Sequence, residues 1–182
     1  DTPYAVFEWE RKLIETTEIL KTIKQYQIKH VVFTGGEPTL FQSSLLQILK
    51  ELPDHFIEVE TNGTINLLKE FSMRVNQFNI SPKLKSSNQW WGYDAKRINL
   101  NALETFPTEK SIFKFVISSK DDIAEIQQIT RSLNIPIYLM PQGETRQQII
   151  KNIPLVLDLS LKYNYGFTSR DHIIVYGKKR GV

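Results

Sequence analysis

The stretch His30 to Phe41, HVVFTGGEPTLF, decides the fold. Its first five residues, His30 to Thr34, are β-branched and aromatic and read as a buried strand. Gly35-Gly36 stops that strand, and Glu37-Pro38 follows at once. Upstream, Leu13, Ile14, Thr17, Leu20 and Ile23 recur at helical spacing, which predicts a helix from about Trp9 to Tyr26. Downstream, Leu45, Leu46, Ile48 and Leu49 mark a second helix that begins near Ser43 or Ser44. A strand set between two helices is the repeating unit of a parallel sheet.

The alternation continues along the chain. Strands are expected at Phe56–Glu60, Val75–Ile80, Ser111–Ile117, Pro136–Met140 and Ile173–Tyr176. Helices are expected at Ile65–Phe71, at Asp121–Leu133 with Ser118 or Ser119 as cap, and at Glu144–Tyr163. Leu84 to Arg97, polar with an aromatic knot, reads as a mobile loop. Parallel strands need right-handed crossovers, and here helices supply them. About six such units fall short of a closed eight-unit barrel of about 250 residues. The expected fold is therefore α/β, a partial (β/α)6-type barrel with mostly parallel strands, in one domain over residues 1–182.

Composition narrows the function. The hydrophobic share of 41% supplies a core of ordinary size. A net charge of +3 does not call for nucleic acid, and no nucleic-acid partner is expected. No apolar run reaches the roughly 18 residues of a membrane span, so no membrane partner is expected, and the location is read as cytoplasmic. Cysteine is absent, which excludes disulfides and thiolate metal sites within these residues. The histidines His30, His55 and His172 are scattered too widely for a histidine metal site.

In parallel α/β folds, ligands bind beyond the carboxyl ends of the strands. Four strand ends carry polar segments here: Thr34-Gly35-Gly36-Glu37-Pro38, Glu60-Thr61-Asn62-Gly63, Ser81-Pro82-Lys83, and Met140-Pro141-Gln142-Gly143. Each has an ordinary reading as a turn or a strand stop. Together they set Glu37, Thr61, Asn62, Ser81, Lys83 and Gln142 around one rim. Two glycines let the backbone approach a ligand closely. A carboxylate at Glu37 suits an ammonium group, Lys83 suits a carboxylate, and the hydroxyls of Ser81 and Thr61 suit a ribose. S-adenosylmethionine has all three groups.

TGGEPTL after a buried strand resembles the GGEP motif of radical S-adenosylmethionine enzymes. The segments Asp1-Thr2-Pro3-Tyr4-Ala5, Glu60-Thr61-Asn62-Gly63-Thr64, Ser81-Pro82-Lys83, Pro141-Gln142 and Gly177-Lys178-Lys179-Arg180-Gly181-Val182 narrow the likeness. They look like the 7-carboxy-7-deazaguanine synthase family. That family carries a cysteine cluster whose last Cys is followed by Asp-Thr and then Tyr-Ala. The resemblance implies that the cysteines of a [4Fe–4S] cluster, and a strand before them, belong ahead of Asp1.

The resemblance implies roles residue by residue. Asp1, Gly35, Gly36, Glu37, Thr61, Asn62, Ser81, Pro82 and Lys83 would hold S-adenosylmethionine, with Gln142, Gly143, Glu144 and Thr145 bracketing its adenine or ribose. Thr2 would offer its hydroxyl to Mg²⁺, a hard cation that prefers oxygen. Thr34, Arg170, His172 and the carboxylate of Val182 would meet the pterin. No side chain is assigned as catalytic, because the cofactor carries the hard chemistry. The implied reaction is the radical ring contraction of 6-carboxy-5,6,7,8-tetrahydropterin to 7-carboxy-7-deazaguanine with loss of ammonia. This lyase step leads toward queuosine and other 7-deazapurines. A flavodoxin or ferredoxin would donate the electron, and the family expectation is a homodimer. Rival readings are another radical enzyme such as an activating enzyme, a non-catalytic S-adenosylmethionine-binding module, and a phosphate-binding enzyme built on Gly-Gly. The last lacks a P-loop Gly-Lys-Ser/Thr and has Glu37 where it would repel phosphate.

Overall fold

The structure, a computed structural model, describes residues 14–87, 97–177 and 179. Among the described residues, the helix expected from Trp9 begins at Thr16, since Ile14 and Glu15 are not helical and Glu15 is extended; Trp9 itself, the site residues Asp1, Thr2 and Val182, and most of the expected loop at Leu84–Arg97 lie outside the described residues. The chain forms two compact units. Of the described residues, 14–80 and 99–111 make the first, and 81–87, 97–98, 112–177 and 179 make the second.

The first unit opens with α1 (Thr16–Gln25) and β1 (His30–Phe33). A short 3₁₀ turn (Pro38–Phe41) leads into α2 (Gln42–Lys50), then come β2 (Phe56–Thr61), α3 (Lys69–Arg74), β3 (Gln77–Ile80) and, later in the chain, α4 (Leu100–Leu103). β1 pairs in parallel with β2, with His30 opposite Phe56, and β2 with β3, with Thr61 opposite Ile80. Strand side chains alternate between faces. One face of this sheet sends Ile57, Val59, Phe78 and Ile80 into a core shared with Ile48, Leu49, Leu52, Phe71 and Leu103, all buried. Leu45, Ile48, Leu49 and Leu52 recur at helical spacing, so one stripe of α2 faces inward. Phe78 meets Phe106 edge-on at 5.2 Å between ring centroids.

The other face of the same sheet is polar. His30 Nε2 lies 2.9 Å from Glu58 Oε2, and Asn79 Nδ2 donates to Glu58 Oε1. Gln77 Nε2 donates to Asn79 Oδ1 at 2.9 Å, and Thr34 Oγ1 to Glu60 Oε2 at 3.1 Å. Parallel strands usually bury apolar residues on both faces. A face carrying two glutamates, a histidine and two amides departs from that rule.

The second unit holds β4 (Ser111–Ile117), α5 (Asp122–Thr130), β5 (Ile137–Pro141), α6 (Arg146–Tyr163), β6 (Gly166–Phe167) and α7 (Asp171–Tyr176). β4 pairs in parallel with β5, and β5 with β6. Phe113, Phe115 and Ile117 are fully buried on alternate positions of β4, with Ile126, Leu139, Ile149 and Val156 among the core residues of the same unit. Asp122 Oδ2 accepts from Ser118 N at 2.7 Å and Ser119 N at 3.0 Å, which pins the end of β4 to the start of α5.

The strand read as buried at His30–Thr34 is not: its residues alternate between exposed and half-buried, with Val32 45% exposed. Two further expected elements differ. Ile173–Tyr176 is helical, as part of α7, and no strand forms there. The run reads as a strand because it is β-branched, but strand propensity depends on a pairing neighbour. This segment packs on α6 instead, with Ile173 buried and Val175 and Tyr176 exposed. The helix expected at Ile65–Phe71 starts only at Lys69. Residues before it are held extended by side chains: Gln42 Nε2 donates to Asn66 O at 2.9 Å, and Leu68 N donates to Gln42 Oε1 at 2.8 Å. Such bonds replace the helical ladder. The short α4 and β6 were not expected, since a single turn and a two-residue strand carry too little periodicity to read. α5 begins with the Asp122 bonds in place of a serine cap.

Candidate functional site

The end of β1 runs into Gly35 and Gly36, at φ +82° and +55°. Two successive left-handed residues suit glycine, since a Cβ would crowd its own backbone there. At Gly35 a Cβ would meet no atom within 4 Å, so the requirement is conformational and not spatial. Thr34, Gly35 and Gly36 are exposed, and the turn opens outward.

Glu37 closes this turn. Its Oε1 accepts from Thr39 N at 3.0 Å, Thr39 Oγ1 at 2.6 Å and Thr61 Oγ1 at 2.7 Å. Its Oε2 accepts from Asn62 N at 2.7 Å. The first pair caps the 3₁₀ turn, which has Pro38 at its start where no N–H is needed. The second pair ties the end of β1 to the end of β2. Oε1 thus takes three of these donors and Oε2 one, on a group with about four acceptor positions. Asn62 in turn folds an Asx turn, its Oδ1 accepting from Thr64 N at 2.9 Å and Thr64 Oγ1 at 2.6 Å. Gly63, at φ +74°, sits so close to Leu103 and Ile80 that a Cβ would lie 2.6 and 2.7 Å from their side chains.

Ser81, Pro82 and Lys83 follow β3 directly in the chain but belong to the second unit. The Lys83 carbonyl accepts from Arg97 Nη1 at 2.9 Å. Arg97 pairs with Glu125 on α5 at 2.5 Å, and Glu125 also accepts from Lys85 N at 2.9 Å. Two charged side chains remote in sequence thus fix the main chain around Lys83.

In the same unit, Gln142 to Thr145 lead from β5 into α6. Thr145 and Gln148 form a capping box. Arg170 stands before α7, 5% exposed, and its Nη1 donates to Gly143 O at 2.8 Å. Burial lowers its pKa to about 10, so it stays cationic near neutrality. The structure thus places Arg170 against the Gln142–Thr145 segment. His172 is exposed on α7.

Of the expected residues, the structure brings together Gly35, Gly36, Glu37, Thr61 and Asn62, with Thr34 beside them through Glu60. It also joins Gly143 to Arg170. The polar residues Glu58, Asn79, Gln77 and His30 were missed. Their signal was the alternation in FIEVET, where two glutamates occupy one face of a strand that should be buried on both. Among the described residues, no group of three or more His, Cys, Asp or Glu side chains could hold a metal ion. With no cysteine in the 182 residues, they do not fit thiolate ligation of an iron–sulfur cluster.

Fold and site together define a parallel α/β protein with a glycine turn and a carboxylate clasp at the strand ends. No family model matches the chain. It is 30% identical over 201 residues to the 7-carboxy-7-deazaguanine synthase of Rhodopirellula baltica, covering 100% of this chain and 75% of that protein. It is 29% identical over 170 residues to the enzyme of the same name from Pyrobaculum aerophilum, covering 90% of this chain and 72% of the relative. The crystal structure of QueE from Escherichia coli superimposes with a TM-score of 0.61 over 85% of this chain and 63% of that one, at 21% identity. That likeness supports the α/β partial-barrel class. The chain belongs to the 7-carboxy-7-deazaguanine synthase family, a family of radical S-adenosylmethionine lyases in 7-deazapurine biosynthesis.

Proposed function

We propose that these residues are the substrate- and cofactor-binding part of a 7-carboxy-7-deazaguanine synthase, which converts 6-carboxy-5,6,7,8-tetrahydropterin with loss of ammonia. The Glu37 clasp supports this most directly. It holds two adjacent strand ends together and leaves the Gly35-Gly36 turn open to a ligand. That geometry fits the methionine end of S-adenosylmethionine, which supplies radical chemistry when bound. Gly35, Gly36 and Glu37 hold that end by shape, and Asp1, Thr61, Asn62, Ser81, Pro82 and Lys83 complete the grip. Gln142, Gly143, Glu144 and Thr145 bracket the adenosine. Thr34 faces the pterin beside Glu60, with His172 and Val182 closing on it.

Family membership implies a [4Fe–4S] cluster, and the 182 residues hold no cysteine to ligate one. Mg²⁺ held by Thr2, a flavodoxin or ferredoxin as electron donor, a homodimer, a cytoplasmic setting and a single domain over residues 1–182 belong to the same proposal. Among the described residues no helix is long and apolar enough to cross a membrane.

Calorimetric titration of S-adenosylmethionine and of 6-carboxy-5,6,7,8-tetrahydropterin into the purified chain tests the proposal. Saturable binding of both is expected, and failure to bind either one overturns it.

A further inference from the structure

The main chain from Gln142 to Thr145 is tied down along its length. Gln142 N donates to Ile117 O at 3.0 Å, and Asn152 Nδ2 donates to Gln142 O at 2.7 Å. Glu144 N and Thr145 N both donate to Gln148 Oε1, at 2.8 and 3.1 Å. Ile149 N donates to Thr145 O at 3.0 Å. These partners lie on β4 or in the first turns of α6, the elements the segment adjoins.

Gly143 O is the exception. Its donor is Arg170, 27 residues further on. The same residue starts α7, because Arg170 O accepts from Ile173 N at 2.9 Å and Ile174 N at 3.1 Å. A guanidinium donating to a carbonyl makes a charge-assisted bond, stronger than a neutral pair. The neighbourhood is tight as well, since a Cβ on Gly143 would lie 2.8 Å from Ile149 N.

We propose that Arg170 is a positioning residue for the Gln142–Thr145 segment. It fixes the peptide of Gly143, and through it the surface offered to the adenosine end of the ligand, and it couples that surface to α7. The proposal rests on the reading that this segment brackets the adenosine. It adds a role at the cofactor to the pterin contact that the family resemblance implies for Arg170.

The test compares Arg170→Met and Arg170→Lys with the parent chain, using S-adenosylhomocysteine as the calorimetric probe and amide hydrogen exchange at Gly143 to Gln148. Loss of a charged hydrogen bond predicts about tenfold weaker binding for Arg170→Met. Faster exchange confined to that segment is expected as well. Arg170→Lys, which keeps a cationic donor, is expected to recover most of both. Equal affinity and equal exchange in Arg170→Met overturn the proposal, as does a Lys variant no better than Met. Should Arg170→Met not fold, Asn152→Ala decides. It frees Gln142 O at an exposed position, and it weakens the probe if the segment's shape matters and leaves it unchanged if not. A parent chain that does not bind the probe refutes the adenosine reading itself, a separate outcome from a parent that binds and a variant that binds equally.

Discussion

The Thr61 hydroxyl donates to Glu37 Oε1 at 2.7 Å, joining residues on two different strand ends. Thr61 is 4% exposed, so the bond is shielded from water. The carboxylate expected to meet an ammonium group is thereby engaged with its own protein. The clasp and the ligand contact expected of Glu37 are therefore two separable roles.

Thr61→Val separates these two roles. It removes the donor to Glu37 and the acceptor of Gly63 N, and leaves the carboxylate in place. A stability loss of about 1 kcal/mol is expected in urea denaturation. Affinity for S-adenosylmethionine should fall too. Unchanged affinity alongside reduced stability would mean that Glu37 acts as a ligand independent of the clasp.

Glu37→Gln acts more strongly. Either orientation of the amide sets an NH₂ against one of the donors Thr39, Thr61 or Asn62. Destabilisation of about 2 kcal/mol follows from an unmatched donor in a part-buried site. Thermal melting with and without S-adenosylmethionine measures it, and the ligand-induced rise in Tm should shrink.

Gly35→Val should cost more than Gly35→Asn, although neither meets an obstacle. The position lies at φ +82°, where Asn is tolerated and a β-branched residue is not. A difference of about 1 kcal/mol between the two variants is expected. Equal stability would show that the turn has relaxed to another conformation.

Gln42→Met tests the bridge that holds residues 66–68 extended. Gln42 is 6% exposed and bonds Asn66 O and Leu68 N. Losing both leaves two backbone groups without these partners, at about 1–3 kcal/mol each. Gln42→Glu keeps the acceptor for Leu68 N but sets a carboxylate oxygen against Asn66 O in a buried site, so its denaturant midpoint should fall at least as far as that of Met.

The order of strands and helices was legible because periods of 2.0 and 3.6 residues are written locally. Phe56–Thr61, Ser111–Ile117 and the helix ending at Tyr163 lie close to where the pattern set them. Ile173–Tyr176 was misread for the same reason. A β-branched run specifies a strand only if a neighbour is there to pair with it, and α6 is what it meets. The glycine turn and its carboxylate were legible as a motif, because a strand ending in Gly-Gly-Glu-Pro is a short-range statement.

What lay beyond the sequence were the partners. Nothing near Glu37 announces Thr61 and Asn62, more than 20 residues away, as the groups that occupy it. Nothing near Arg170 points to the carbonyl of Gly143. The sequence by itself determined the α/β alternation, the strand-end motifs and the family, since each is carried by residue type at short spacing. The tertiary structure alone decided which distant polar groups bond to one another within the protein. A hydrogen bond between distant residues depends on distance and direction, and only the folded chain sets those.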